Sequence, residues 1–261
     1  MKIKTLIFLG MLALINTSYG LDKNLRVKSI LRQGVSFSSN EQTLIHDLGN
    51  IQGIIDSFKV YSGNQLKIDS AYIAEEKEAE LYRPLNRTQV LELCTSLQGT
   101  SFSEVDEWKI NSFYQIDSLK SVGKYEEYLG TLDLGMPENT KAYASHKFDL
   151  ADGSSLLIWR IWSKTIDACP YAEGKSIMIT TMKDNKILHT YALGQISSGA
   201  DAPMWYQNET YLTVSKAGEV KLEIKEANGG ESDEEGNEMQ ATITKRQYKG
   251  IFKNGVFTEQ K

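Results

Sequence analysis

The chain has 261 residues, 41% of them apolar, and its 29 Lys and Arg against 34 Asp and Glu give a formal net charge of −5. That length supports a real core, and the ordinary apolar and charged fractions exclude wholesale disorder, a collagen-like repeat and a coiled coil. The acidic balance leaves no footprint for nucleic acid, and 2 Cys are too few for a disulfide scaffold or a four-ligand zinc site.

Residues 1–20 carry the layout of a secretory signal peptide. Lys2 and Lys4 form a positive start, Leu6 to Ile15 is an apolar run broken only by Gly10, and Ser18 and Gly20 are the small residues of a cleavage site before Leu21. A membrane anchor is the competing reading. That run makes only ~15 Å of helix, about half the hydrocarbon thickness, and no later apolar run reaches the ~18 residues a span needs. The expectation is an acidic exported protein, periplasmic or secreted, with no transmembrane segment after cleavage. Loss of Lys2 and Lys4 takes the net charge from −5 to about −7.

Export changes how the cysteines read. In an oxidising compartment Cys94 and Cys169 are expected to pair, closing a loop of about 76 residues. In the chain-entropy model such a bridge is worth roughly 4–5 kcal/mol.

Residues 21–40 read as a polar leader. From Glu41, apolar residues at Leu44, Ile45, Leu48, Ile51, Ile54, Ile55 and Phe58 step by three and four, predicting an amphipathic helix. A second helix is expected within Ser70 to Tyr82, stopped by Pro84, which disfavours helical geometry at Arg83. A third starts at Asn86 or Thr88, places Val90, Leu91, Leu93, Cys94 and Leu97 on its apolar side, and ends at Gly99.

After about Val105 the period becomes two. Residues Ala142 to Leu150 alternate, Asp152-Gly153 is a hairpin turn, and Leu156 to Trp162 is almost continuously apolar, as suits a strand covered on both faces. Further strands are expected at Ile177 to Met182, Ile187 to Leu193, Tyr211 to Ser215, Val220 to Ile224, Met239 to Ile243, and on both sides of Asn254-Gly255. Asp184-Asn185 and Ala217-Gly218 supply two more turns. The whole predicts an α+β fold: N-terminal helices packed on a large twisted antiparallel β-sheet, a meander of hairpins. Its divisions are a signal peptide at 1–20, a leader and helical region at 21–104 and an antiparallel region at 105–261, with 21–261 one compact unit.

No motif dictates a reaction. Gly-x-Ser-x-Gly, His-Glu-x-x-His and the phosphate-binding glycine fingerprints are missing from the sequence. Ser121-Val-Gly-Lys124 matches only a two-residue acyl-transfer pattern and lacks its companions. His46, His146 and His189 are scattered, so no catalytic, cofactor-binding or metal-binding residue is nominated. The acid-rich stretch Glu226 to Glu238 offers oxygens to Ca²⁺ at Asp233, Glu235 and Asn237, but Gly236 is misplaced for an EF-hand, so a solvated connection is the expectation.

The segment Gly194 to Gln207 stands out as a long interruption between strands carrying Asp201, Met204, Trp205 and Tyr206 together. Met and large aromatics on a loop are what binding hot spots use. The bland reading is that Trp205 and Tyr206 start the next strand and pack inside. These residues point to a non-catalytic exported binding protein of the bacterial envelope engaging a protein partner through a loop or sheet face. The acidic charge suits a basic partner. An inhibitor or immunity protein against an envelope toxin is a concrete form of that reading, and an envelope hydrolase is the competing class.

Overall fold

The structure is a computed structural model and describes residues 51–68, 79–94, 96–103, 107–132, 136–165, 171–201, 204–230 and 241–260. The expected signal peptide, leader, Cys169 and most of the second helix lie outside the described residues.

Eight consecutive strands build most of the molecule: β5 (Pro137–Asp149), β6 (Ser155–Thr165), β7 (Tyr171–Lys183), β8 (Lys186–Asp201), β9 (Met204–Ser215), β10 (Glu219–Gly230), β11 (Thr242–Lys253) and β12 (Val256–Gln260). Each pairs antiparallel with the next, so the expected meander is the observed path. All four hairpin dipeptides sit at turns. Asp184, Asn185, Asn254 and Gly255 adopt positive φ (50°, 58°, 51° and 78°), the geometry of type I′ turns that matches strand twist.

Four short strands change the sheet from the expected antiparallel one to a mixed one. They are β1 (Lys59–Val60), β2 (Gln65–Ile68), β3 (Arg83–Pro84) and β4 (Leu97–Gln98). β1 pairs parallel with β5 and β4 parallel with β8, while β2 and β3 pair antiparallel with β9 and β5. The region expected to be helical therefore contributes edge and add-on strands.

The helices are also redistributed. α1 (Ile51–Ile55) is the described part of the first expected helix and ends before Phe58. α2 (Arg87–Leu93) starts at the expected cap: the Asn86 side chain accepts from the Gln89 N–H, and the Gln89 side chain accepts from the Asn86 N–H, a reciprocal capping box. It stops at Leu93 rather than Gly99, because Leu97 and Gln98 pair with Thr190 and Tyr191. The region expected to be all strand opens instead with α3 (Glu107–Ser121) and α4 (Tyr125–Leu129). Ile110, Phe113, Tyr114 and Ile116 are buried, so Ile110 is followed by apolar residues three and four positions on, the side of α3 that lies on the sheet. Tyr125 and Tyr128 donate to the carbonyls of Glu138 and Pro137, tying α4 to the start of β5.

β6 explains why the sheet has two buried faces. Its run of β-branched, Leu and Trp residues is buried from Leu156 to Ser163, as the continuous apolar pattern predicts. Alternation sends Leu156 and Ile158 into a cluster shared with Leu66, Ile177, Leu193, Leu212, Leu222 and Phe252. That cluster draws on β2 and on every strand from β5 to β12, so the sheet rolls around a single core. The opposite face carries Leu157, Trp159 and Ile161 and is covered by α2 and α3. Each such fully buried side chain contributes roughly 1.5–3 kcal/mol. Lys183 donates to the Asn254 side chain at 2.9 Å and the Phe257 N–H to the Tyr191 hydroxyl at 3.1 Å, fastening the β11–β12 hairpin across β7 and β8.

Candidate functional site

The stretch expected to be a loop is a hairpin tip. β8 runs unbroken to Asp201 and β9 begins at Met204. The strands persist because Ser197, Ser198, Gly199, Ala200 and Asp201 find partners in Asn208, Gln207, Tyr206, Trp205 and Met204. Alternation then separates the four residues singled out in the sequence. Met204 (45% exposed) and Tyr206 (36% exposed) share one face, and Trp205 belongs to the other, packed against Gly229 of β10. The Asp201 side chain lies outside the described residues. Partial burial raises the Tyr206 hydroxyl above the ordinary tyrosine range.

On the Tyr206 face the β-sheet and the start of α3 enclose a hollow of about 300 Å³. Trp108, the second residue of α3, forms one wall and is 46% exposed. Next to it Lys109 is nearly buried and its ammonium reaches the Ser176 hydroxyl at 3.4 Å. The floor is polar: Ser163 of β6, Glu173 of β7, Gln195 and Ser197 of β8, and Asn208 of β9.

Two glycines shape this floor. A side chain at Gly174, where φ is 155°, would stand 2.2 Å from the Ile196 carbonyl oxygen, so β7 and β8 approach here only because the position has none. A β-carbon on Gly194 would lie 2.6 Å from Cγ2 of Thr210. Thr210 uses that space: its hydroxyl accepts from the Gln195 N–H at 3.1 Å and donates to the Gln195 carbonyl at 3.0 Å. A side chain thus replaces a ladder rung where β9 leaves β8 to pair with β2. The result is a corner in the sheet, and the hollow opens beside it.

The other residues weighed from sequence fall elsewhere. Ser121 donates to the Ser118 carbonyl of its own helix at 2.7 Å. His189 Nδ1 stands 3.1 Å from the Ser96 hydroxyl, and His146 lies near Tyr61 and Tyr82. Cys94 is a buried free thiol among the described residues, beside the Tyr114 side chain, and its expected partner Cys169 lies outside them. Glu226, expected in the acidic connection, is within β10 and pairs with Arg246; residues 231–240 are outside the described set. A second hollow of about 140 Å³ between α3 and β5 is lined by Phe113, Ile116 and the buried Thr140 hydroxyl.

Sequence reasoning found Tyr206 and missed Trp108 and the polar floor. Trp108 begins a helix 98 positions before Tyr206 in the chain, and only the fold joins them. Among the described residues no helix is long and apolar enough to cross a membrane. No protein-family model matches the chain, and no match is found among curated proteins or solved structures.

Proposed function

We propose that this chain is an exported, non-catalytic binding protein of the bacterial envelope that engages a protein partner through the β8–β9 hairpin tip. The observation carrying this reading is a set of three large side chains each at least 36% exposed: Met204 and Tyr206 share one face of the hairpin, and Tyr206 and Trp108 line one hollow. Adaptable Met and rigid aromatics around a recess are the anchors binding surfaces use. The segment at 1–20 supports export, and the acidic balance favours a basic partner.

The test is capture from a bacterial envelope extract by the immobilised chain. Wild type should retain a defined partner, and Met204→Ser with Tyr206→Ser should lose it. Tyr211→Ser, which removes another exposed aromatic from β9, should retain it. Equal retention by the double variant, or no partner held by wild type, rejects this surface as the interface.

A further inference from the structure

The hollow behind that rim has a chemistry of its own. Its volume of about 300 Å³ stands at the lower end of ligand-binding sites. Two aromatic rings, Trp108 and Tyr206, meet solvent at its walls. Four neutral groups, the hydroxyls of Ser163 and Ser197 and the amides of Gln195 and Asn208, provide donors and acceptors together. One cation, Lys109, and one anion, Glu173, leave the lining without net charge.

Each ligand class makes a different demand on such a lining. A phosphate or carboxylate ligand calls for an excess of positive charge, which Glu173 cancels. A lipid chain calls for apolar walls. An extended peptide calls for an open strand edge, but here the strands are joined: Glu173 pairs with Ser198, and Ser197 with Asn208. A pyranose ring meets the lining on every count. Its C–H faces cover an aromatic surface, and its hydroxyl rim both donates to and accepts from amides and side-chain hydroxyls.

We infer that the hollow between the start of α3 and strands β6 to β9 is a saccharide-binding site, with Trp108 and Tyr206 as ring platforms and Gln195 and Asn208 as hydroxyl readers. The inference rests on this surface being a binding site but not on the partner being a protein.

Saturation-transfer NMR on the full exported chain tests it with three neutral trisaccharides as probes: chitotriose, cellotriose and maltotriose. At least one should show saturable transfer from aromatic protons, with a dissociation constant of about 1 mM or below, a binding free energy of roughly −4 kcal/mol or stronger. Trp108→Ala should abolish the signal and Trp108→Phe should restore part of it. Gln195→Ala and Asn208→Ala should each weaken binding by about tenfold, the loss of one neutral hydrogen bond. Met204→Ser, outside the lining, should keep saccharide binding while losing protein capture, which separates the two readings. Silence from all three probes, transfer surviving in a folded Trp108→Ala variant, or saturable binding of inorganic phosphate instead overturns the assignment.

Discussion

Trp205 lies across Gly229, its indole Cζ2 only 2.6 Å from where a β-carbon on that glycine would stand. The two residues are register partners in the β9–β10 pair, so the ring uses the space that the glycine leaves empty. Trp205 is therefore a clasp between strands, and the exposed chemistry of the hairpin tip belongs to its neighbours Met204 and Tyr206. Gly229→Ala should displace the ring and cost about 1–3 kcal/mol as an overpacking change. In a chain of this size that lowers the melting temperature by about 2–4 °C per kcal/mol. Trp205→Ala should destabilise similarly, while Met204→Ser should stay within about 0.5 kcal/mol. Urea melts of the three variants check this ordering, and a stable Trp205→Ala would refute the clasp.

A second expected outcome concerns a buried relay under α2. The Trp159 Nε1–H donates to Thr180 Oγ1 at 2.9 Å, Thr180 meets Thr190 at 2.7 Å, and Thr190 donates to the Leu93 carbonyl. Trp159, Thr180 and Thr190 have no solvent exposure. The last acceptor is a carbonyl at the helix C-terminus, a group with no partner inside its own helix. Thr190→Val keeps the shape but strands both the Leu93 carbonyl and the Thr180 hydroxyl. The cost should be about 1–3 kcal/mol for each buried group left unsatisfied. Thr190→Ser restores the hydroxyl and should recover most of that loss in the same denaturation experiment.

How far these features were legible in the sequence depends on the range of the interaction that makes them. Asn254-Gly255 and Asp184-Asn185 announce turns because the positive φ is a property of the residues themselves. Asn86 announces a helix start because its bond partner, Gln89, is three residues away. α3 was hidden because Trp108, Ile110, Phe113 and Ile116 are weak helix formers, set among Asn and Ser residues that favour caps and turns. β1 and β4 are two residues each, and their parallel pairing to His146 and Thr190 leaves no periodicity to read. The polar floor of the hollow is assembled from four strands, β6 to β9, and faces the start of α3, so of the residues singled out in the sequence only Tyr206 lines it.

Cys94 supplies a third prediction. Full burial raises its thiol to about 12, with the Tyr114 hydroxyl acting in the opposite direction. The thiolate is the nucleophile, so at pH 8 only about one Cys94 in ten thousand is in the reactive form, and access is closed as well. With the protein kept under reducing conditions, iodoacetamide should leave Cys94 unmodified in the folded state and label it once urea unfolds the chain, read by peptide mass spectrometry. Rapid labelling of Cys94 in native protein would show that α2 opens readily from the sheet.

The pH response should be carried by His146. Its ring sits 5.9 Å from that of Tyr61 and 6.1 Å from that of Tyr82, with Ser145 Oγ 2.7 Å from Nδ1. Burial foremost, then the positive charges of Arg160 and Lys59, hold it below the ordinary histidine value of 6.5. The unfolded chain therefore binds a proton at this residue more readily than the folded one as pH drops through 6.5. Stability contributed by the neutral ring is fully present above that pH and declines below it, until the folded-state histidine is itself protonated. Asp149 and Asp152 titrate lower: burial acts to raise both, but hydrogen bonds from Lys147 and Ser155 to the first, and from Ser154 and the Asn254 N–H to the second, outweigh it. Both are held below the ordinary value of 3.8, so their loss comes only in stronger acid. Urea midpoints measured between pH 7.5 and pH 5 should fall for wild type and be flatter for His146→Gln. Equal slopes in the two proteins would place the sensitivity elsewhere.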